Sequence, residues 1–425
     1  MNYIFNIFKN YFGLNNGKIF DEPPSYVDKN KLPGFSEIPK PTFMSWLANA
    51  PFVLINSPNF VWSIISLFIY FYYPYDLNMQ VLTPISYNFI VQRFPMWFTT
   101  VFGYTAFWHV CLYFFNLSSR PFIENRPYNI NKVVHNIFWN TSGIFIWTIF
   151  ENIFCYLWST NRLFYIHDVI SFGSVYGFIK FIIVLMGIPL WRSFHFYFAH
   201  RLLHFSPLYQ QVHSLHHRNT DTEPFSGLCM HPIEHLYYYS CILPSLFFIC
   251  SPFAFLWNGV HLLLSPAASH SGWEDHFQSD AYHYLHHRYF ECNYSGTDTA
   301  FLDILFGTFK GSLSEIPSPR DDAKSNLFTV ATNEFILYLG LCFMCIATWG
   351  YYALNVANKV LYLSNYPALG FASLVGFGPV IIACLFKNTK VHPVKMTIIG
   401  NLTHLLVGSL FCSVPITYMC WLALI

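Results

Sequence analysis

The sequence predicts an all-α fold: a polytopic membrane helical bundle whose cytoplasmic face carries a histidine-rich domain. Three observations point there. The 425 residues are 54% hydrophobic and 21% aromatic but only 10% charged, against about 25% charged in ordinary soluble domains. The apolar residues fall in long blocks, and a run of about 20 crosses a bilayer as a helix. Histidines crowd into three short stretches, "HRLLH", "HSLHH" and "HYLHH", beginning at His200, His213 and His283.

Residues 1–44 are mixed and Pro-containing and are expected to form a cytoplasmic or interfacial segment. "MNYIFNIFKNYFGL" reads as a short interfacial helix and lacks the charged start, apolar core and small-residue cleavage site of a signal peptide. Residues 45–192 hold expected membrane helices near 52–73, 94–117, 134–158 and 172–192, the last running on toward His200. Residues 193–330 form the histidine-rich region. Inside it the apolar stretch 233–269, interrupted by Pro244, Pro252 and Pro266, is expected to be a hairpin that enters and returns on one side. Residues 331–425 form a C-terminal extension with spans near 333–353, 367–386 and 396–423.

Charge orients the bundle, because Lys and Arg favour the cytoplasmic side of short loops. Lys9, Lys18, Lys29, Lys31 and Lys40, then Arg120, Arg126 and Lys132, then Lys387, Lys390 and Lys395 all fall on one side when crossings are counted. The histidine clusters, with Arg201, Arg218 and Arg288, fall there too. A net charge of +1 and the lack of a basic tract argue against a nucleic-acid partner. The 11 cysteines are scattered; Cys342 and Cys345 lie in an apolar stretch and read as small buried helix residues.

On a helix, residues at i, i+3 and i+4 share one face. His200 and His204 are such a pair; His213, His216 and His217 make a triplet, and His283, His286 and His287 repeat it. Each set can aim ring nitrogens at one point, and eight imidazoles suffice for two metal ions at about four nitrogens each. Imidazole suits iron, zinc and copper, so the ligands alone do not name the metal. One such pair is ordinarily a packed or capping feature. Three sets within 90 residues are not explained by packing, since buried polar groups are costly unless satisfied.

The surroundings carry a resemblance. "FHFYFAHRLLHFSPLYQQVHSLHHRNTDTEPFSGLCMHPIEHL" and "HSGWEDHFQSDAYHYLHHRYFECNYSGTDTAFLDILFGTF" are similar to the fatty acid hydroxylase superfamily, which includes sterol desaturases and sterol 4-methyl oxidases. The resemblance covers about 193–310. It implies a non-haem di-iron centre, two iron ions for which zinc can substitute in isolated protein, that activates dioxygen. The implied ligands are His200, His204, His213, His216, His217, His283, His286 and His287, with His270 of "HSGW" as a ninth. Around them His231, Glu234, Asp298 and Asp303 are candidates to hold the ligand rings, and Glu223 is another carboxylate within reach. "HPIE" also reads as a helix start, with Pro232 at its first position. Where many relatives carry an acidic residue, seven positions before the first histidine, this chain has Ser193. His195, His235, His261 and His276 match no ligand position.

The resemblance implies hydroxylation or desaturation of a lipid C–H bond, with a sterol favoured slightly over an acyl chain or sphingolipid, and no catalytic side chain beyond the metal ligands. No H-P-G-G haem motif and no G-x-G-x-x-G loop occurs, so electrons are expected from a separate b-type cytochrome or reductase. The endoplasmic reticulum is the implied location, with the mitochondrial inner membrane as alternative. A second reading follows from the 331–425 extension: a structural subunit of a larger membrane complex that retains the oxygenase fold and metal site.

Overall fold

A computed structural model describes residues 58–74, 83–118, 121–123, 127–163, 170, 172–242, 245–246, 251–274, 279–290, 292–296, 300–306, 308–311, 366–385 and 398–424. Among these the regular elements are helices, with one isolated bridge between Pro121 and Trp273. The long ones are α1 (Asn59–Tyr72), α2 (Tyr87–Tyr113), α3 (Ile130–Ser159) and α4 (Val175–Leu203). After α5 (Ser206–Gln211) and a 3₁₀ segment (His213–Arg218) come α6 (Pro232–Tyr239), α7 (Pro252–Ser269), α8 (Ser279–Tyr289) and α9 (Ala300–Leu305). The described part of the extension holds α10 (Tyr366–Leu385) and α11 (Ile398–Leu424). The expected N-terminal segment and the expected span 333–353, with Cys342 and Cys345, lie outside the described residues.

Helix starts follow the local sequence. The side chains of Ser86, Asn129, Ser174 and Ser251 each accept from a backbone N–H in the first turn that follows, satisfying donors that helix starts leave orphaned. Two helices, α4 and residues Leu405–Leu424 of α11, are long and apolar enough to cross a membrane. Helices α2 and α3 have the length, 27 and 30 residues, but carry polar side chains turned inward. Arg93 pairs with Glu151 at 2.5 Å, Trp97 Nε1 donates to the same carboxylate at 2.7 Å, and all three are buried. On the outside, large apolar side chains such as Phe60, Phe68, Phe71, Phe107, Val175 and Ile183 are exposed.

Prolines knit the bundle. A helical proline leaves the carbonyl four residues earlier without its usual donor, and here neighbouring helices fill the gaps. Pro189 frees Leu185 O, which accepts from Trp257 Nε1 at 3.1 Å. Pro266 frees Leu262 O, which accepts from the Tyr238 hydroxyl at 3.0 Å. Pro415 frees Phe411 O, which accepts from the His195 ring. Side chains thus satisfy main-chain groups where water is excluded.

The stretch 233–269 does turn back on itself. Tyr238 bonds to Leu262 O and Asn258 Nδ2 donates to Cys241 O at 3.0 Å, so α6 and α7 run antiparallel. The C-terminal helices belong to the same core. Phe411 of α11 stacks on Phe198 of α4 at 5.3 Å, and Gly408 passes so close to Leu202 that a Cβ there would lie 2.6 Å from the Leu202 Cβ. At the far end of α11, Arg162 Nη1 donates to the terminal-turn carbonyls of Leu422 and Ala423 at 3.1 and 3.3 Å, a favourable place for a cation.

The packing sorts the loops to two ends. One end gathers the end of α2, residues 121–123 and 127–128, the start of α3, the end of α4, His270 and α8. Phe122 N–H donates to Gly272 O at 3.1 Å and its ring stacks on Tyr284 at 4.4 Å. The other end gathers Ser86, Asn152, Arg162 and the close of α11; Ser86 N–H donates to Asn152 Oδ1 at 2.6 Å.

Candidate metal centre

All nine histidines singled out in the sequence converge at the first end. Four elements deliver them: the C-terminal turn of α4, the 3₁₀ segment, the C-cap of α7 and helix α8. They form two groups. His200, His204, His213, His217 and His286 bring one ring nitrogen each within 4.8 Å of one another, and His216, His270, His283 and His287 do the same. Each triplet therefore does not aim at one point, as the spacing suggested, but divides. Its first and last members join one group and its middle member crosses to the other. The occupancy is five and four rather than four and four.

The reason lies in helix geometry. Successive residues turn by about 100°, so i+3 and i+4 fall on opposite sides of the direction of i and about 100° apart. That is close enough to share a face yet far enough to serve two centres. The second set is wound as a 3₁₀ segment, in which i and i+3 would eclipse, yet it divides in the same way.

Within the groups the Nε2 atoms stand close. His217 lies 3.2 Å from His204, 3.1 Å from His213 and 3.1 Å from His286. In the other group His270 lies 3.3 Å from His216, 3.0 Å from His287 and 3.1 Å from His283. Two imidazole nitrogens bound to one ion at about 2.0–2.1 Å, at right-angle to tetrahedral bond angles, stand about 2.8–3.4 Å apart.

Proton accounting then tests whether a metal fits. A carbonyl oxygen only accepts, so a ring nitrogen facing one must carry the proton. His200 Nδ1 faces Tyr294 O at 2.8 Å, His286 Nδ1 faces Cys292 O at 2.6 Å, and His216 Nδ1 faces Cys229 O at 3.3 Å. His287 Nδ1 faces Asn219 O at 3.0 Å and His270 Nδ1 faces Pro266 O at 2.8 Å. His213 Nδ1 faces the Glu234 carboxylate at 2.7 Å. In six neutral rings Nε2 is thereby left as a bare lone pair, pointed at other lone pairs. Burial keeps the rings neutral: it lowers His216 to about 4 and holds His213, His217, His270, His283, His286 and His287 well below the usual range. Convergent lone pairs repel unless a cation sits among them. The residues fit two metal ions, each with three ligand rings oriented through their second nitrogen.

The remaining expected residues divide. Glu234 holds His213. Asp303, fully buried, accepts from Tyr294 N and Ser295 N at 2.9 Å each, from Tyr282 OH at 2.5 Å and from Thr308 Oγ1 at 2.5 Å. It thus fixes the turn that presents the Tyr294 carbonyl to His200. Asn293 adopts a left-handed φ of 53° in that turn, and its side chain bonds to Tyr282 O and Lys310 O. His231 stands outside both groups and caps α6, its Nδ1 accepting from Ile233 N at 3.2 Å. Asp298 lies outside the described residues. Glu223 reaches no ligand ring; it accepts from Asn136 Nδ2 at 2.7 Å and lies 3.0 Å from His109 Nδ1. Asn136 also donates to Asn219 Oδ1 at 2.9 Å, so α2 and α3 hold the loop whose backbone orients His287. His195 meets Ser240, His261 meets Asn59, and His235 packs against Gly143. Ser193 is buried beside Gly296. His276 lies outside the described residues.

Sequence reasoning missed the five carbonyls, because a backbone acceptor has no residue type to betray it. The "NY" after the third cluster was the one visible sign, since Tyr294 supplies a carbonyl and Asn293 the turn.

Among the described residues, a helical bundle closing over nine histidines, eight of them buried and His204 half-buried, in two metal-sized groups defines the class of protein. Residues 184–308 match the family model described as fatty acid hydroxylase, so this segment is similar to that family. It is 28% identical over 134 residues to a Delta(7)-sterol 5(6)-desaturase of Gibberella zeae, covering 28% of this chain and 39% of that protein. A second desaturase of that fungus is 30% identical over 152 residues, covering 32% and 40%. Methylsterol monooxygenase 1 of Rattus norvegicus is 30% identical over 122 residues, covering 26% and 41%. The chain thus spans about two fifths of the length of these relatives. No solved structure matches it.

Proposed function

We propose that this chain is a membrane-embedded non-haem di-iron oxygenase that hydroxylates or desaturates a lipid C–H bond. The observation that carries this reading is the set of six protonated Nδ1 atoms, each locked to an oxygen, that leaves Nε2 lone pairs facing inward in two groups. His200, His204, His213, His217 and His286 hold one ion; His216, His270, His283 and His287 hold the other. Two iron ions there supply dioxygen activation and the oxidising power that an unreactive C–H bond demands. The chain's own part is to fix the rings, to keep water out and to place one carbon. No side chain beyond the ligands is needed as acid or base.

The names of the relatives make sterols the first substrates to test, followed by acyl chains and sphingolipids. Electrons come from a separate b-type cytochrome or reductase. The exposed apolar side chains on α1, α2 and α4 suit contact with lipid. Meeting of Phe122 with Tyr284 of α8, and of Arg162 with the end of α11, fits alternating crossings with the histidines at the cytoplasmic face of the endoplasmic reticulum.

Purified protein should hold close to two iron or zinc ions per chain. His216→Ala with His286→Ala removes one ligand from each group and should abolish lipid oxidation in cells, read by comparing membrane-lipid mass spectra of a deletion strain carrying either form. Metal-free protein, or unchanged lipid spectra on deletion, would overturn the reading.

A further inference from the structure

A charged side chain lies deep in α4 without an acidic partner. Arg192 falls 11 residues before the end of the apolar helix Val175–Leu203, and among the described residues no carboxylate pairs with it. Its Nη2 donates to the Tyr238 hydroxyl at 2.8 Å, but its buried Nε has no hydrogen-bond partner. The guanidinium lies over the rings of Phe196 and Tyr238, 5.2 and 5.6 Å from their centroids. The Tyr238 hydroxyl spends its own proton on Leu262 O, so it accepts from Arg192 and cannot neutralise it. Beside Tyr238 stands Ser265 of α7, 7% exposed, whose hydroxyl faces the Tyr238 hydroxyl. Three helices therefore bring one cation and two hydroxyls together.

A cation inside an apolar span is costly and persists where an opposite charge or a function compensates it. The direction of α4 shows what it could serve. Arg192, Phe196 and His200 recur at four-residue intervals and share a face. Phe196 is half-buried and packs on His200 at 4.7 Å and on His283 at 6.2 Å, touching one ring of each metal group. The rise of 1.5 Å per residue places Arg192 about 12 Å from His200 along the axis. On α7, Ser265 is separated from His270 by only four residues.

We propose that Arg192, aided by Ser265, anchors the oxyanion headgroup of a lipid substrate, a carboxylate or a phosphate, whose chain runs past Phe196 to the histidine cage. The inference rests on the reading of the chain as a lipid oxygenase and narrows it: an anionic acyl lipid is preferred over a neutral sterol, because an anion offsets the half-buried charge and fills its unpartnered Nε donor. The guanidinium presents fixed donors to a carboxylate or phosphate, and the Ser265 hydroxyl stands near to add one more. The separation between Arg192 and His200 then sets the oxidised carbon well down the chain from the headgroup.

The test uses metal-loaded full-length protein in detergent, with equilibrium binding of radiolabelled palmitate, dioleoyl phosphatidate and ergosterol. One of the two anionic lipids should bind at one per chain, and which one distinguishes carboxylate from phosphate. Arg192→Gln should weaken that binding at least tenfold, Arg192→Lys less, and Ser265→Ala a few fold, with metal content unchanged in all three. Ergosterol binding at least as tight as both anionic lipids, or anionic binding unmoved by Arg192→Gln and by Ser265→Ala at full metal content, would overturn the anchor. The two readings fail separately. A neutral sterol oxidised regardless of Arg192 sinks the anchor alone, whereas Arg192-dependent palmitate binding in a chain that oxidises no lipid sinks the oxygenase alone.

Discussion

Glu234 shows how much rests on an atom that is not itself a ligand. Five of the six locked rings lean on neutral carbonyls, but His213 leans on a carboxylate. Burial pushes the Glu234 carboxyl well above its usual range; where nearby cations keep it ionised, it is a stronger acceptor than a carbonyl and makes the ring a better donor to metal. Glu234→Gln keeps the shape and removes the charge. Metal held by the five-histidine group should weaken about 10- to 100-fold, the usual cost of losing such a partner, while the four-histidine group keeps its ion. Elemental analysis after dialysis should therefore fall from two ions per chain toward one, and a loss of both ions would show that the groups are not independent. At this scale the candidate ligands were legible in the sequence, because histidines at helical spacing advertise themselves. Their division into five and four was not, since a 100° fan on one face is compatible with one centre or two. Nor was the role of Asp303, which acts on His200 only through the Tyr294 backbone.

At the scale of elements, the prolines and one glycine decide how helices meet. Pro189, Pro266 and Pro415 each free a carbonyl that a neighbouring helix claims through Trp257, Tyr238 and His195. Of these only Pro266 was singled out in the sequence, as an interruption within a hairpin; the use of all three as inter-helix fasteners depends on partners far along the chain. The hairpin itself was legible, because Pro244, Pro252 and Pro266 break an apolar stretch too long for one crossing. Gly408 was not singled out, yet it sets the approach of α11 to the helix that carries His200 and His204. A Leu side chain there would meet Leu202 and the Phe198 carbonyl. Gly408→Leu should destabilise the protein by about 1–3 kcal/mol through overpacking, lowering its thermal midpoint in detergent, and Gly408→Ala should cost less. An unshifted midpoint would mean that α11 does not press on α4.

For the whole molecule, the proposed arrangement draws on two lines. Lys and Arg counts in short loops lead to the expectation that 118–133 and 387–395 share the side of the histidines, with 159–171 opposite. Packing, which knows nothing of charge bias, brings Phe122 against Tyr284 of α8 and draws Arg162 to the carbonyl end of α11. The count of spans was less legible than their order. Helices α2 and α3 hide Arg93, Glu151, His109 and Asn136 in their interface, and average hydropathy treats a satisfied inward ion pair as though it faced lipid. Satisfied pairs of this kind cost far less than lone charges, so these two helices can cross a membrane despite their polar content. The arrangement makes a sided expectation. An acceptor site for N-linked glycosylation added within residues 164–171, or beyond residue 425, should be modified when the protein is made in cells. The same site added within 118–129 should stay unmodified if the proposed topology, which puts that loop on the side of the histidine groups, holds. Modification of the 118–129 site would invert the bundle, and it would put the histidines where no cytoplasmic reductase could reach them.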